Sequence, residues 1–541
     1  MPDTVRGADI VVRTLRLAGT DAVFALSGNH IMPIFDAAFG APIRLVHARH
    51  EAATVYMADG WARMTGRCGV ALVSSGAGHA NAVGSLPTAL AAEVPLLLLS
   101  GQAGLAEQGR GGFQELRQVE MAAPACKAGR MATDVRSLGH DIAALMRIAL
   151  SGRPGPVHLS LPVDLLNATV PDTPELWPAA ADFLPLPAPA DARAVQGLRD
   201  ALQAAHRPIV LSGPSFCRGA HADELARLAL ATGVPIVGME SPRGLNDPKL
   251  GAFAKVLPQA DLVVLLGKPC DFTVGFLRPP AVHAEARILV IDPDAHLIER
   301  ANRELAGRLA GAWLADPLVT IRAAFADMPT QDKAAWRAAV SEAIAFRPAT
   351  WPGEDVRTDG LVHPADIARA LQTYLEANPD AVLVCDGGEA PQWPQTLQTA
   401  NRRIINGVAG SIGGATPFAI GARAATGANV IAVSGDGGFG FHVLELDTAL
   451  RHDLPVTIVV ANDAAWNAEH QIQLRTYGAE RAHSCTLLPT RYDQVVEALG
   501  GYGAYVTDAR DLLPAIERAV ASGKPACINV RTRSLPAPVI R

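Results

Sequence analysis

Two short signatures in the last third of the chain carry the clearest chemistry. Val430-Ile431-Ala432-Val433-Ser434 has the make-up of a buried strand and runs directly into Gly435-Asp436-Gly437-Gly438-Phe439-Gly440. A second apolar run, 455–460, ends in Ala461-Asn462-Asp463, and 24 residues lie between Gly437 and Asn462. That interval holds one helix and one strand. It therefore puts Asp436 and Asn462 at the carboxyl ends of neighbouring strands, where open α/β sheets bind ligands. A carboxylate and an amide oxygen are hard donors suited to octahedral Mg²⁺, with water and phosphate oxygens completing the shell. The glycines let backbone N–H groups approach a diphosphate. With 49 glycines in the chain, a lone Gly-Asp-Gly is weak, and each piece alone also reads as a turn. The fixed interval to Asn462 joins them into one site.

The elements that must position these residues follow from the hydrophobic pattern. The chain has 541 residues, 49% of them hydrophobic and 18% charged, which is ample for large cores and unlike a disordered chain. Aromatics are only 5%, so alanine, valine and leucine fill the cores. The net charge of −6 argues against nucleic-acid binding through a broad basic surface. Apolar runs such as Val94-Pro95-Leu96-Leu97-Leu98-Leu99 are strand-sized and far short of the roughly 20 residues of a membrane helix. The N-terminus lacks the basic start and apolar stretch of a signal peptide. The seven cysteines are widely spread without a Cys-x-x-Cys pair, which points to a reducing cytoplasm and to no disulfide framework or zinc site.

Short apolar strands alternate with alanine-rich amphipathic helices, which predicts an α/β protein of three domains with mostly parallel sheets. The first domain spans 1–175, with strands at 22–26, 43–46, 70–74 and 95–100. Six prolines between Leu166 and Ala190 predict a linker. The middle domain spans 190–340, with strands at 208–212, 234–238, 262–267 and 288–292. A second linker lies around 347–353. The third domain spans 355–541, with strands at 381–385, 430–433 and 456–460. The first and third domains could share one architecture.

The Gly-Asp-Gly…Asn pattern resembles that of the thiamine-diphosphate-dependent enzymes. The wider segment Glu445-Leu446-Asp447-Thr448-Ala449…Leu454-Pro455-Val456…Asn462-Asp463…Trp466 looks like their acetolactate-synthase branch. The resemblance implies that Asp436, Asn462 and the main-chain carbonyl of Ala464 bind Mg²⁺, and that Gly435, Gly437 and Gly438 flank the diphosphate. It also implies an activating glutamate in the first domain. His47-Ala48-Arg49-His50-Glu51-Ala52-Ala53 matches that segment, with Glu51 the residue that hydrogen-bonds the cofactor's aminopyrimidine. Alone, Glu51 would read as an acidic residue in a helix first turn. Gly410-Ser411-Ile412-Gly413 resembles the loop that props the cofactor, with Ile412 the apolar prop and the Gly410 carbonyl an acceptor. Asp386-Gly387-Gly388-Glu389 would cover the diphosphate. Ile412 could also be plain core, and the paired glycines a plain turn.

The substrate side is less marked. Gly28-Asn29-His30 resembles benzaldehyde lyase, and His79 lies in a loop that acetolactate synthases share in part. Both histidines are candidate proton shuttles, or satisfied loop histidines. Gln114 is a candidate active-site amide, and Trp466, Glu469 and His470 are candidates for the substrate wall. In the middle domain, Asp292 ends a strand as in dinucleotide folds, but Gly213-Pro214-Ser215-Phe216-Cys217-Arg218-Gly219 is not a dinucleotide fingerprint. By resemblance this domain holds FAD, another nucleotide such as ADP or CoA, or nothing. The implied enzyme is a lyase or carboligase acting on 2-oxo acids or 2-hydroxy carbonyl compounds. A 2-hydroxyacyl-CoA lyase and an FAD-dependent enzyme of the pyruvate-oxidase type are the alternatives. The family assembles its sites between chains, which implies a homodimer or homotetramer.

Overall fold

Three parallel sheets account for the alternation of apolar runs and helices. The computed structural model describes residues 4–326, 328, 333–349, 351 and 361–540. The first sheet contains β1 (Ala22–Ala25), β2 (Arg44–His47), β3 (Gly69–Val73), β4 (Leu96–Gln102), β5 (Ala128–Met131) and β6 (Pro156–Pro162), in the order β2-β1-β3-β4-β6-β5. The middle sheet contains β7 (Pro208–Ser212), β8 (Ile236–Gly238), β9 (Leu262–Leu266), β10 (Arg287–Asp292) and β11 (Leu309–Leu314), in the order β8-β7-β9-β10-β11. The third contains β12 (Val382–Cys385), β13 (Arg402–Ile405), β14 (Val430–Gly435), β15 (Thr457–Asn462), β16 (Tyr502–Val506) and β17 (Ala526–Arg531), in the order β13-β12-β14-β15-β17-β16. The outer two sheets therefore share one strand order, as the sequence suggested. Central strands such as Leu96-Leu97-Leu98-Leu99 are buried throughout because helices cover both faces of the sheet.

The chain divides into two compact units, Met1–Pro185 with Gly353–Ala537, and Leu186–Pro352 with Pro538–Arg541. The first and third sheets thus belong to one unit. Their contact runs through helix α1 (Glu51–Thr65) and, further along the chain, helix α3 (Ala415–Thr426), with α2 (Ala77–Val83) packed beside α1. A Cβ on Gly60 would lie 2.4 Å from the Phe418 carbonyl oxygen, and one on Gly421 would lie 2.0 Å from that of Met57. Only glycine permits these two backbones to touch. Helix α1 is capped at its start by His50, whose ring accepts from the Ala52 N–H, and at its end by Gly66 in the left-handed region. Arg63 pairs with buried Asp59 at 2.5 Å and donates to the Ile405 carbonyl at 2.7 Å, joining the two halves.

The prolines after Leu166 do not make a free linker. Thr169–Pro171 pairs antiparallel with Thr4–Arg6, and Leu166, Val170, Leu176 and Phe183 are buried in the first domain's core. Proline is accepted there because it stands at a ribbon edge and at the starts of short helical turns, where no ladder N–H is required. The fold continues beyond residue 175, and the compact unit breaks at Pro185. The second expected linker, 347–353, lies partly outside the described residues, as does residue 355. Among the described residues, no helix is long and apolar enough to cross a membrane.

Candidate active site

The carboxyl ends of β12, β14 and β15 open onto one cavity. Gly387, Gly388 and Glu389 line it from the loop after β12, and Gly410 and Ile412 from the loop before α3. Gly435, Asp436, Gly437 and Gly438 line it after β14, and Asp463, Trp466 and Glu469 after β15. The structure therefore brings together at one cavity most of the residues that the sequence assigned to the cofactor, but neither Asn462 nor Ala464 is among those that line it. Gly388 and Gly410 adopt φ of +96° and +70°, which suit glycine. Gly437 is the second residue of the short helix α4 (Asp436–Phe439), and a Cβ there would meet the Trp466 ring at 2.7 Å. Trp466 thus forms a wall because Gly437 leaves room for it. His470 is not among the lining residues.

Asp386, fully buried, ties three of these loops together. Its carboxyl group accepts from the Gly387 N–H at 2.9 Å, the Gly413 N–H at 3.0 Å and the Ser434 hydroxyl at 2.7 Å. Burial pushes its pKa up to about 6, against those hydrogen bonds. The side chain of Ile412 is held against Gly387, where a Cβ would lie 2.8 Å from its Cγ2. The Glu389 carboxylate accepts from the Ala537 N–H, which ties residue 537 to the loop after β12.

Asp436 is buried, and its Oδ2 has no hydrogen-bond partner among the described residues. Its carboxyl group faces that of Asp463; burial raises the pKa of both, and the neighbouring Asp436 raises that of Asp463 further. Such a pair must share a proton or bind a cation, so the donor set fits a divalent ion. Asn462 is fully buried, and its Oδ1 accepts from Arg531 at 2.9 Å and from the Ala464 N–H at 3.3 Å. Its Nδ2 donates to the Thr490 carbonyl and to Asn529 Oδ1. To ligate a metal, Asn462 would exchange Arg531 for it. Ala464 has a φ of +58°, a strained value for a residue with a side chain, and its carbonyl accepts from the Leu487 N–H. Asp463, Arg531 and Asn529 were not singled out from the sequence. The adjacency of Asp463 to Asn462 was the one available signal.

Glu51 is the first residue of α1, and its Oε2 accepts from Asn81 Nδ2 at 3.0 Å. It does not line the cavity. His30 sits in the turn after β1, buried, with its ring stacked on Phe113 at 5.8 Å. Burial lowers its pKa, so the ring is neutral. Gln114 is exposed, at a φ of +57°, and its carbonyl accepts from the Ser75 hydroxyl. His79 is fully buried with both nitrogens engaged, at 2.8 Å from Ser100 Oγ and 3.0 Å from the Gln118 carbonyl. Burial pushes its pKa down to about 4. The carbonyl accepts, so Nε2 carries the proton and Nδ1 accepts from Ser100. No ring nitrogen remains for a substrate, and His79 acts as a core residue. Beside it, buried Gln118 accepts from the Gly76 N–H and donates to the Gly101 carbonyl and Ser160, a role that nothing in the sequence marked.

The middle sheet reverses its order between β7 and β9, the point at which such a sheet would bind a nucleotide. A Cβ on Gly267, after β9, would lie 2.8 Å from the Phe216 ring, which follows β7. Lys268 is buried, with its ammonium 2.9 Å from Asp271. Asp292 is also buried, and it accepts from the Asp294 N–H in its own loop. Phe216, Lys268 and Asp292 are thus buried around the carboxyl ends of these strands.

Residues 5–121 match the family model for the thiamine pyrophosphate enzyme N-terminal TPP binding domain, and residues 386–530 match that for the C-terminal TPP binding domain. A probable acetolactate synthase of Mycobacterium bovis is 30% identical over 540 residues, covering 98% of this chain and 96% of that protein. The 2-hydroxyacyl-CoA lyase 2 of Danio rerio is 28% identical, covering 97% and 91%, and that of Homo sapiens is 28% identical, covering 97% and 89%. With the two glycine loops, the buried carboxylates and this end-to-end likeness, the chain belongs to the thiamine pyrophosphate enzyme family, as a thiamine-diphosphate-dependent lyase or transferase of carbon–carbon bonds.

Proposed function

We propose that the protein is an acetolactate-synthase-like lyase and carboligase that uses thiamine diphosphate and Mg²⁺ on 2-oxo acids or 2-hydroxy carbonyl compounds. The cavity at the ends of β12, β14 and β15 carries this reading, because it combines glycine loops, an unpartnered buried carboxylate oxygen and an aliphatic wall. Thiamine diphosphate, when bound, supplies a carbon nucleophile for a carbonyl and delocalises the charge left after C–C cleavage, which no side chain does. The first-turn N–H groups of Gly437 and Gly438 lack intrahelical acceptors and would be available to the diphosphate. Asp436, Asn462 and the Ala464 carbonyl hold Mg²⁺. Ile412 would give the cofactor an apolar support, and the Gly410 carbonyl would offer an acceptor to its amino group. Gly435, Gly388 and Glu389 close the diphosphate side.

Glu51 holds the proton exchanged with the pyrimidine ring. Its place outside the cavity of its own chain supports a site completed by Glu51 of the partner subunit, in a homodimer or homotetramer. His30, neutral and buried, serves the reacting carbonyl, with Gln114 as a nearby amide. The segment after β7 lacks a dinucleotide fingerprint, which favours a flavin-free enzyme over the pyruvate-oxidase type. None of the seven cysteines is in a disulfide, which suits a reducing cytoplasm. The likeness to 2-hydroxyacyl-CoA lyases keeps a thioester donor as the second reading.

The test is an activity panel with thiamine diphosphate and Mg²⁺. It contains pyruvate, benzoin-type ketols and a 2-hydroxyacyl-CoA, with products identified by mass. Turnover of a 2-oxo acid or ketol supports the leading reading, and turnover of the thioester alone replaces it with the second. Glu51→Gln is expected to keep cofactor binding and to abolish turnover. A variant with full activity would contradict the mechanism.

A further inference from the structure

Three of the four residues ahead of Glu51 are fastened to helix α5 (Glu445–Arg451) of the diphosphate-binding half or to His452 just after it. The His47 N–H donates to His452 Nε2 at 2.8 Å, and the His47 carbonyl accepts from Arg451 at 2.8 Å. The Arg49 and His50 N–H groups donate to Glu445 Oε1 at 3.1 Å and 3.0 Å. The Arg49 side chain pairs with Asp447 at 3.2 Å. Glu445 is the buried member of this set, 1% exposed, and its other oxygen accepts from the Thr448 hydroxyl at 2.7 Å. It stands nine positions after Asp436 and bonds the two N–H groups immediately before Glu51.

We propose that Glu445 is a positioning residue for Glu51: its carboxylate, from the diphosphate-binding half, fixes the backbone from which the activating glutamate projects. This rests on the assignment of Glu51 above. Two consecutive N–H groups on one carboxylate leave that backbone little rotational freedom, and charge-assisted hydrogen bonds of this kind are the strong ones. A misplacement of about 1 Å at a reacting group lowers rates by about a hundredfold, so the contact is amplified into proton transfer. Because Glu445 and Asp436 flank one loop, any shift of that loop on metal and diphosphate binding is transmitted to Glu51 of the same chain.

The test compares the full-length protein with Glu445→Gln, Glu445→Ala, Glu51→Gln and the Glu51→Gln/Glu445→Ala double variant. Three quantities are measured: thiamine diphosphate affinity by calorimetry with Mg²⁺, hydrogen–deuterium exchange at the thiazolium carbon by NMR, and the thermal midpoint. Glu445→Ala is expected to bind the cofactor within about threefold of wild type and to slow exchange by about tenfold to a hundredfold. Glu445→Gln keeps one acceptor and should fall between, which carries the test if the alanine variant does not fold. The double variant should exchange no more slowly than Glu51→Gln alone, because Glu445 acts only through Glu51. Additive slowing, or unchanged exchange in both Glu445 variants, overturns the proposal. Normal exchange in Glu51→Gln would instead overturn the assignment of Glu51, independently of Glu445.

Discussion

Asp386 offers a sharp test of how the cofactor loops are held. Replacing it with alanine strands the Gly387 and Gly413 N–H groups and the Ser434 hydroxyl, all of which donate to it. At roughly 1–3 kcal/mol for each buried unsatisfied group, the loss is on the order of 5 kcal/mol. The burial that raises its pKa from 3.8 to about 6 means that the ionised form is itself held at a disadvantage of about 3 kcal/mol, which alanine removes. The net expectation for Asp386→Ala is a destabilisation of about 2–3 kcal/mol. Asparagine differs: its oxygen still accepts from both N–H groups, and its amide can donate to Ser434 Oγ, which then donates to the Gly435 carbonyl 3.1 Å away. Asp386→Asn should therefore stay within about 1 kcal/mol of wild type at neutral pH. Urea unfolding gives the stabilities, and calorimetry gives thiamine diphosphate affinity. Affinity should fall at least tenfold in the alanine variant, whose Gly410–Gly413 loop has lost its anchor, at about 1.4 kcal/mol per decade. Equal stability and equal affinity for the two variants would refute the view of Asp386 as a buried acceptor hub.

The same group sets a pH signature: its folded pKa is raised, so its contribution is greatest below pH 3.8 and lost as pH rises through about 6. Wild type should gain about 2 kcal/mol on Asp386→Asn between pH 6 and pH 4, read from paired urea titrations. His79 works in the opposite sense. Its folded pKa is lowered from 6.5 to about 4, so stability is full above pH 6.5 and falls by up to about 3 kcal/mol towards pH 4. His79→Gln should flatten that part of the curve without moving the pH profile of kcat, and a shifted profile would restore His79 as a shuttle. Gly60→Ala and Gly421→Ala should each destabilise by about 2 kcal/mol or more, because the added methyl meets backbone rather than a movable side chain. Thermal midpoints measure this, and unchanged values would contradict the close helix crossing. Chelation of Mg²⁺ should lower the midpoint only when thiamine diphosphate is present, by the equivalent of about 3 kcal/mol at a hundredfold excess over Kd.

The central, doubly covered strands were legible because their apolar runs are uninterrupted. The strands that escaped notice have physical reasons for doing so. Ala128–Met131, Leu309–Leu314, Arg402–Ile405 and Tyr502–Val506 lie at sheet edges and carry glycine, arginine or exposed positions. Pro156–Pro162 and Ala526–Arg531 are interior, but polar residues interrupt their apolar pattern. The cofactor loops were readable because glycine and aspartate recur at strand ends with a fixed interval. The polar hubs were not. Asp386, Gln118 and Glu445 bond backbone groups distant in sequence, and those partners exist only once the sheets are assembled. His79 was ambiguous for the same reason, since Ser100 and Gln118 decide its role.

The meeting of α1 with α3 also bears on how the protein is made. Thr65 ends α1 and Ala415 begins α3, 350 positions later, so the first half is synthesised long before its glycine-notched helix has a partner. Non-local contacts of this kind form late and slow folding. The nascent chain must carry an apolar face of α1 through the synthesis of the whole middle unit, a span in which chaperones and low temperature help most. Expression yield, more than the stability of the finished enzyme, is where substitutions along that face will be felt first.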